Sequence, residues 1–384
     1  MILSLVFYSS VGLILYTYLL YPLVLCMISA RKSEPARTES PEWTPKVSVI
    51  ISAFNEEKHI QARIRNLLEQ DYPSQQLEII VGSDGSGDGT AERLAQFADH
   101  PQCSVHIFAQ NRGKASVLND LVAHSTGEIL VFSDANTEFA SDNIRKMLSY
   151  FVGPDVGGVC GELQIYDPVE SGSENQDSLY WRYERFLKER ASRLRCLPGA
   201  NGANYAIRRT LFKPIPSTTI VDDMLIGCRV VLQGKELIYA KEAIAKEEQA
   251  LTTNDEFKRR VRIGNGNYQC LRWLIGEVLR SSVHFRFVFF SHKVIRWFVP
   301  HLLVTAFISN AILAPGSSWF SLLLILQLLG YGLVMIIHLS THKQEWPGAA
   351  LALYFLIAMN VGLGMGFVRY LTRGDSAAWE RTER

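Results

Sequence analysis

The stretch Ile129-Leu130-Val131-Phe132-Ser133-Asp134-Ala135-Asn136 decides the fold of this chain. Its first five residues form a largely apolar run that predicts a buried β-strand, and a carboxylate follows where that strand ends. In an open α/β sheet, the carboxyl ends of the strands border the crevice where ligands bind. Asp134 is therefore predicted to face a ligand, and its carboxylate suits a magnesium-type cation that also holds phosphates.

Three more apolar runs repeat this strand pattern upstream, and segments with helical spacing of apolar residues separate them. The predicted strands are 47–51, 77–81, 105–108 and 129–132, and the predicted helices between them are 57–70, 90–98 and 115–123. Strands that alternate with helices indicate an α/β domain with a mostly parallel sheet and helices on both faces.

Charge and hydropathy divide the 384 residues into a soluble part with apolar segments on either side. The net charge of +1 gives no argument for nucleic acid as a partner. Four apolar segments, 2–28, 297–313, 319–339 and 349–368, are each near the length needed to cross a bilayer. The first lacks a basic n-region and a clear cleavage site, so we expect a retained membrane helix rather than a signal peptide.

These signals predict a chain of consecutive regions. They are an N-terminal transmembrane helix (1–29), a linker (30–46), a cytoplasmic α/β domain (47–255), amphipathic or interfacial helices (256–298), C-terminal transmembrane helices (299–371) and a tail (372–384). The first span is followed by the basic residues Arg31, Lys32 and Arg37, which favour a cytoplasmic location for the α/β domain. The protein is therefore predicted to lie in the inner or plasma membrane with this domain in the cytoplasm. Span counting then places the C-terminus outside, whereas basic residues after the last span favour inside, and both topologies stay open.

Polar clusters follow the first two predicted strands. Ala53, Asn55 and Glu56 follow the first strand, and Asp84 lies in a glycine-rich turn after the second. A strand, then glycines, then a helix is a geometry that binds phosphate or nucleotide. The turn lacks the Walker and dinucleotide patterns, and each cluster alone also fits a helix N-cap or a tight turn.

Charged residues farther along supply groups that a transfer reaction needs. Lys114 precedes a predicted helix, where its ammonium is able to reach a diphosphate. Asp222 and Asp223 follow an apolar segment, and one of them is a candidate general base, which must lie within about 3 Å of the proton it removes. The alternatives are a solvated surface lysine and a helix N-cap formed by Asp223.

A predicted amphipathic helix over 256–280 collects basic and aromatic side chains on one face. Arg259, Arg262, Gln269 and Trp273 recur at steps of three and four, so they share a stripe. Arginine suits the oxygens of a diphosphate, and tryptophan is able to stack on a sugar or base. The alternative is a basic helix that rests on anionic lipid.

The order of these clusters resembles family 2 glycosyltransferases, and the membrane-embedded, cellulose-synthase-like or polysaccharide synthase branch is the most similar. The matching segments are Ala53-Phe54-Asn55-Glu56, Ser83-Asp84-Gly85-Ser86, Gly113-Lys114-Ala115, Asp134-Ala135-Asn136, Asp222-Asp223 and Arg259-Arg260-Val261-Arg262. The resemblance covers roughly residues 45–300. It implies a GT-A fold with a Rossmann-like sheet, a nucleotide-diphosphate sugar as donor, commonly a UDP-sugar, and inversion of the anomeric centre.

The resemblance also implies roles for single residues. Asp223 matches the general base, and Asp134 and Asn136 match the two ends of the Asp-x-Asp motif that binds Mg²⁺ or Mn²⁺. The implied nucleotide-sugar positions are Ala53, Asn55, Glu56, Asp84, Lys114, Asp134, Arg259 and Arg262, and the implied acceptor-side positions are Asn201, Gly202, Asp222, Gln269 and Trp273.

Several positions depart from the family pattern. Ser83 replaces the first acid of Asp-Asp-Gly-Ser, and Asn136 replaces the second acid of Asp-x-Asp, which makes that metal contact neutral and weaker. Arg259 and Ile263 replace the Gln and Trp of Gln-x-x-Arg-Trp, whose Trp contacts the acceptor sugar in polymerising members. Gln269-Cys270-Leu271-Arg272-Trp273 is a literal match to this motif, but its spacing from the predicted base fits less well.

The sequence thus predicts a membrane-bound, inverting glycosyltransferase that moves a sugar from a UDP-sugar to a glycan or lipid-linked acceptor in extracellular or surface polysaccharide synthesis. Membrane lipids and other polysaccharide-synthesis subunits are the further predicted partners. One alternative is a transferase that adds a single sugar to a glycolipid, and another is a non-catalytic membrane scaffold that binds nucleotide-sugar. The donor sugar, the linkage and processivity stay open.

Overall fold

The computed structural model describes residues 1–38, 43–166, 179–248, 253–340 and 346–373, without the side chains of residues 179, 180, 253, 254 and 373. Parts of the predicted linker and most of the predicted tail therefore lie outside the described residues. The chain forms two compact units. Among the described residues, the helical unit lies within 1–24, 253–271 and 289–373, and the sheet unit lies within 25–248 and 272–288.

Within the described part of the sheet unit, eight strands form one mixed sheet in the order β3-β2-β1-β4-β7-β6-β8-β5. The strands are β1 Val47–Ala53, β2 Leu77–Asp84, β3 Cys103–Phe108, β4 Ile129–Ser133, β5 Thr137–Phe139, β6 Val156–Tyr166, β7 Tyr205–Arg208 and β8 Glu236–Glu248. Strands β1 to β4 pair in parallel, and these are the four strands that the sequence predicts. The α/β fold class is confirmed.

The second half of the sheet differs from the simple parallel pattern. Strand β7 pairs antiparallel with β4 and β6, and β5 pairs antiparallel with β8, whereas β6 and β8 are parallel. The sequence after residue 150 no longer alternates between strand and helix signals, and for this reason hydrophobic periodicity did not predict these pairings.

Between β1 and β8, the described part of the sheet unit contains six α-helices. They are α3 Ile60–Leu68, α4 Thr90–Ala95, α5 Lys114–His124, α6 Asn143–Leu148, α7 Leu179–Arg193 and α8 Asp222–Leu232. Helix α3 begins later than the predicted residue 57, because Glu56 to His59 form a turn in which the Glu56 carbonyl accepts the N–H groups of His59 and Ile60.

Strands β1, β2 and β4 are held by a core that buries both of their faces. All seven residues of β1 and all five of β4 are buried, and apolar side chains such as Val49, Ile79 and Val131 pack in one cluster. Full burial of each such side chain contributes about 1.5–3 kcal/mol. The register pairs Ala53 with Ser83 and Ile51 with Ser133. The carboxyl ends of these strands therefore lie at the same edge.

The helical unit holds most of the apolar helices. The remaining helices of the chain are α1 Ile2–Leu15, α2 Tyr21–Ala30, α9 Thr253–Arg280, α10 Val283–Val288, α11 Ile295–Leu313, α12 Ser318–Leu339 and α13 Gly348–Arg373. Among the described residues, four helical runs are long and apolar enough to cross a membrane: Ile2–Ala30, Val283–Gly316, Ser318–Leu339 and Gly348–Thr372. The predicted amphipathic or interfacial region 256–298 contains most of α9 and all of α10, and its residues from Val283 onward belong to the second run.

Two π-helical turns, Tyr16–Leu20 and Phe289–Val294, are joined by hydrogen bonds inside the helical unit. The Thr17 hydroxyl donates to the Ser291 carbonyl at 2.8 Å, and the hydroxyls of Tyr16 and Ser291 are 2.7 Å apart. Such polar contacts between apolar helices contribute about 0.6 kcal/mol each in a bilayer. They tie the first apolar run to the second.

Gly85 turns the chain immediately after β2. Its φ angle is +64°, and a Cβ atom there would overlap the backbone of Gln110 and Asn111. Only glycine avoids both the left-handed strain and this overlap. Gly87 in the same loop has open space around its α-carbon.

We therefore expect Gly85→Ala to destabilise the sheet unit by about 2 kcal/mol or more, because left-handed strain and backbone displacement add. The measurement is the apparent Tm of the detergent-purified protein, with Gly87→Ala as the matched control that leaves Tm near the wild-type value. Equal Tm values for the two variants would contradict this account of the turn.

Candidate active site

Two loops at the carboxyl edge of the sheet are bonded to each other. Asn55 has a positive φ of 55°, its Oδ1 accepts the Gly87 N–H at 2.8 Å, and its own N–H donates to Ser86 Oγ at 3.1 Å. The Glu56 N–H donates to Thr90 Oγ1 at 2.8 Å. The loop after β1 and the glycine-rich loop after β2 therefore form one preorganised rim.

Ala53 and Ser83 lie at the ends of the two strands that lead into this rim. Ala53 is fully buried at the end of β1, beside Ser83 at the end of β2. The Ser83 hydroxyl donates to Ser86 Oγ at 2.9 Å. The serine that departs from the family pattern thus helps to hold the glycine-rich loop.

Asp84 is fully buried and fixes the loop that precedes Lys114. Its Oδ1 accepts the Arg112 N–H at 2.9 Å, and its Oδ2 accepts the Gly113 N–H at 2.8 Å. Hydrogen bonds from backbone N–H groups to a carboxylate are about twice as strong as neutral ones. Asp84 therefore positions the start of α5, and its predicted contact with a nucleotide stays a prediction.

Lys114 joins two acids that are far apart in sequence. Its Nζ lies 2.8 Å from Asp134 Oδ1 and 3.4 Å from Asp222 Oδ2. Burial alone lowers the pKa of this ammonium, but Asp134 and Asp222 outweigh that effect, and the net shift raises its pKa. Lys114 is therefore a fixed positive charge, and it is not the solvated surface lysine of the alternative interpretation.

Asp223 lies beside this ion-pair network in the first turn of α8. Its Oδ2 accepts the Gly202 N–H at 2.8 Å, and its Oδ1 accepts the Met224 N–H at 2.8 Å. Burial and then the neighbouring Asp222 raise the pKa of Asp223 to about 6, although Lys114 opposes the shift. Val221 is the N-cap of α8, so the alternative that Asp223 caps the helix is wrong.

The predicted acceptor-side residues Asn201 and Gly202 lie in a loop beside Asp223, the acceptor loop. A Cβ atom on Gly202 would lie 3.3 Å from Asp223 Oδ2, so any larger residue there crowds the carboxylate. The Asn201 carbonyl accepts the Asn204 N–H at 3.0 Å and closes the loop. The structure thus brings Gly202 and Asp222 beside the candidate base.

Asp134 and Asn136 form the turn between β4 and β5. The described residues contain no group of three or more His, Cys, Asp or Glu side chains that is able to enclose a metal ion. Magnesium commonly takes one or two carboxylates and completes its shell with substrate phosphates. The buried Nδ2 of Asn136 has no hydrogen-bond partner among the described residues, so this amide is able to turn its oxygen toward a cation. The residues fit an ion that enters with a diphosphate.

Sequence analysis missed Arg63 in this site. Its side chain is only 2% exposed on α3, and its Nη2 donates to Ser133 Oγ at 2.8 Å, next to Asp134. The available signal was its position on the apolar stripe of Ile60, Ile64 and Leu67, where a charged residue is rarely buried without a partner.

The four predicted residues of the amphipathic stripe all lie on α9. Arg259, Arg262 and Gln269 belong to the helical unit, and Trp273 belongs to the sheet unit. Gln269 is fully buried. Their contact with the donor or the acceptor stays a prediction.

Comparison with known proteins agrees with this fold. The family model described as Glycosyl transferase family 2 matches residues 48–215. The probable glycosyltransferase YdaM of Bacillus subtilis (strain 168) is 25% identical over 381 residues, which cover 91% of this chain and 89% of YdaM. The match therefore extends over the apolar helices as well as the sheet unit.

A second relative and a solved structure are similar over different extents. The poly-beta-1,6-N-acetyl-D-glucosamine synthase of Staphylococcus epidermidis is 24% identical over 229 residues, which cover 59% of this chain and about half (55%) of the synthase. The structure of the mannosyltransferase PcManGT from Pyrobaculum calidifontis, in complex with GDP-Man and Mn²⁺, has a TM-score of 0.73 at 21% identity and covers 96% of this chain and 99% of its own. That likeness establishes the GT-A fold. Residues 48–215 of this chain thus match glycosyl transferase family 2, and the likeness to a probable glycosyltransferase extends over most of the chain.

Proposed function

We propose that this protein is a membrane-bound, inverting glycosyltransferase that moves a sugar from a UDP-sugar to a glycan or lipid-linked acceptor in extracellular or surface polysaccharide synthesis. The observation that carries the proposal is the pairing of Asp223 with the adjacent Lys114 network. A carboxylate with a raised pKa lies beside a fixed cation, at the sheet edge where ligands bind in α/β folds.

Asp223 acts as the general base. Its carboxylate accepts the proton of the acceptor hydroxyl as the acceptor oxygen forms a bond to the anomeric carbon. The bond between that carbon and the donor diphosphate breaks, and its electron pair leaves on the diphosphate oxygen. Attack from the side opposite the diphosphate inverts the anomeric centre, and a well-placed base contributes about 10²–10⁴-fold to such a step.

The departing diphosphate needs positive charge at the position where negative charge develops. Lys114, anchored by Asp84 through the loop before α5, supplies a cation that requires little reorganisation. A divalent ion held by Asp134 and Asn136 would neutralise the diphosphate when bound. Arg259 and Arg262 are the further residues proposed to hold the diphosphate.

The donor and acceptor are proposed from the resemblance and the relatives. A polymer of N-acetylglucosamine is the product named for the Staphylococcus epidermidis relative, whereas the solved mannosyltransferase holds GDP-Man. GDP-mannose is therefore the donor to test against UDP-sugars. Four apolar helical runs support a location in the membrane, and Arg31, Lys32 and Arg37 support a cytoplasmic site.

A second candidate is the addition of one sugar to a glycolipid. Ile263 in this chain replaces the tryptophan that contacts the acceptor sugar in polymerising members of the family. The loss of that contact favours release of the product after one addition. The size distribution of the products distinguishes the two, because polymerisation gives a ladder and single addition gives one species.

The direct test is nucleotide release by purified protein in detergent with Mn²⁺, membrane lipids and a panel of UDP-sugars plus GDP-mannose. We expect turnover with one UDP-sugar. Asp223→Asn should lower kcat about 10²–10⁴-fold, because the amide cannot accept the proton, while donor binding by calorimetry changes little. Asp155→Asn is the matched control, because this carboxylate is 79% exposed in the sheet unit and pairs with Lys235.

Turnover with GDP-mannose alone would contradict the UDP assignment. Equal loss of donor binding and turnover in Asp223→Asn would contradict the role of Asp223 as base. Full activity in that variant would exclude the mechanism itself.

The raised pKa of Asp223 predicts the pH dependence of the reaction. A base must be ionised, so protonation of Asp223 below its pKa of about 6 removes activity. We expect kcat/KM to rise about tenfold per pH unit below that value and to level off above it. A profile that stays flat well below the pKa of Asp223, with the protein still folded by circular dichroism, would show that another group accepts the proton.

A further inference from the structure

We propose that Arg63 is a positioning residue that holds the metal turn, residues 134–136, in the geometry that receives the cation and the diphosphate. This inference depends on the proposed role of Asp134 and Asn136 in holding a divalent ion. Arg63 lies on α3 and belongs to none of the motifs through which the chain resembles its family.

The metal turn lacks the support that a β-hairpin gives to its turn. Only three residues join β4 to β5, yet β4 pairs with β1 and β7 while β5 pairs with β8. One hydrogen bond, from the Thr137 N–H to the Asp134 carbonyl at 3.4 Å, closes the turn. Lys114 contacts the Asp134 carboxylate, but no ladder between β4 and β5 holds the backbone of the turn. Contacts from outside the turn must therefore hold that backbone.

Helix α3 supplies these contacts at both ends of the turn. At Ser133, the residue before the turn, the Arg63 Nη2 donates to the Ser133 Oγ at 2.8 Å, and the Ser133 hydroxyl donates to the Asp134 carbonyl at 3.2 Å. After the turn, the Arg63 guanidinium lies 4.0 Å from the centre of the Phe139 ring. Asn66, which accepts a hydrogen bond from Arg63, binds the N–H and the carbonyl of Phe139 at 2.9 Å each.

Charge explains why an arginine occupies this place. Burial lowers the pKa of Arg63 to about 9, and the negative charges of Asp134 and Glu138 oppose the shift. The guanidinium therefore stays protonated at neutral pH. The side chain is only 2% exposed, and its Nε has no hydrogen-bond partner among the described residues. A buried charge of this kind is costly unless nearby opposite charges offset it. Of the two acids, Asp134 has the larger effect on Arg63.

A positioning role and a purely electrostatic role for Arg63 predict opposite effects of its replacement on metal binding. Loss of an orienting partner behind a metal ligand lowers metal affinity about 10–100-fold. Loss of a positive charge near the ion, taken alone, raises the affinity for a cation. Arg63→Met removes both the contacts and the charge, whereas Arg63→Lys keeps the charge and removes the planar fork.

The test is a titration of Mn²⁺ in the presence of UDP, followed by electron paramagnetic resonance, on the full-length protein. We expect Arg63→Lys and Arg63→Met to raise the Kd for Mn²⁺ at least about tenfold. The KM for Mn²⁺ should rise with it, and kcat at saturating Mn²⁺ should stay near wild type. Asn66→Ala keeps Arg63 but removes the hydrogen bonds to Phe139, and it should also raise the Kd for Mn²⁺. This variant keeps the test decisive if Arg63→Met fails to fold.

Arg208→Met is the matched control. The Arg208 guanidinium also packs on an aromatic ring, 5.6 Å from the centre of Phe151, and donates to the carbonyls of Val156, Phe151 and Gly153. None of these contacts involves the metal turn. We therefore expect this variant to lower Tm and to leave the Kd for Mn²⁺ unchanged.

Unchanged or tighter Mn²⁺ binding in the Arg63 variants, or an equal loss in Arg208→Met, would overturn the positioning role. Asp134→Asn separates this failure from failure of the proposed metal site. If Asp134→Asn binds Mn²⁺ as wild type does, the metal site is wrong and the inference about Arg63 is overturned with it. If Asp134→Asn weakens binding and the Arg63 variants do not, only the inference about Arg63 is wrong.

Discussion

The ion pairs of Lys114 with Asp134 and Asp222 are the interaction on which the rest of the site depends. Burial, and then the neighbouring carboxylates Asp222 and Asp134, raise the pKa of Asp223. Like charges in a half-buried site are unfavourable without a cation. Lys114 supplies that cation from α5. Its place is fixed by Asp84, whose two oxygens bind the backbone just before the helix. Three elements that are distant in sequence are thereby held in one charge network.

This network gives neighbouring acids different properties, as the proposed combination of cation binding with proton transfer requires. Asp134 and Asp222 each contact the ammonium directly, whereas Asp223 binds backbone N–H groups and has a raised pKa. Environments that push the pKa values of nearby acids apart are typical of enzymes that need both a base and an electrostatic anchor. The Gly202 N–H fixes the Asp223 carboxylate beside the acceptor loop.

The sequence predicted those features that follow from strand order, and it missed the contacts that cross the fold. Strands β1, β2 and β4 are buried on both faces, so their apolar runs were clear, and parallel pairing placed Asp84 and Asp134 at one edge. The bonds from Asp84 to residues 28 and 29 positions later depend on the turn at Gly85, which no periodicity encodes. Arg63 was missed because its partner Ser133 is 70 residues away.

The anomeric configuration of the product tests the central claim most directly, because a single base opposite the leaving diphosphate permits only inversion. The product made from an α-linked UDP-sugar is isolated, and the coupling constant of its new anomeric proton is measured by nuclear magnetic resonance. The account predicts a β-linkage from a gluco-configured donor, lost in Asp223→Asn. An α-linked product would contradict the role of Asp223 and the one-step transfer built around it.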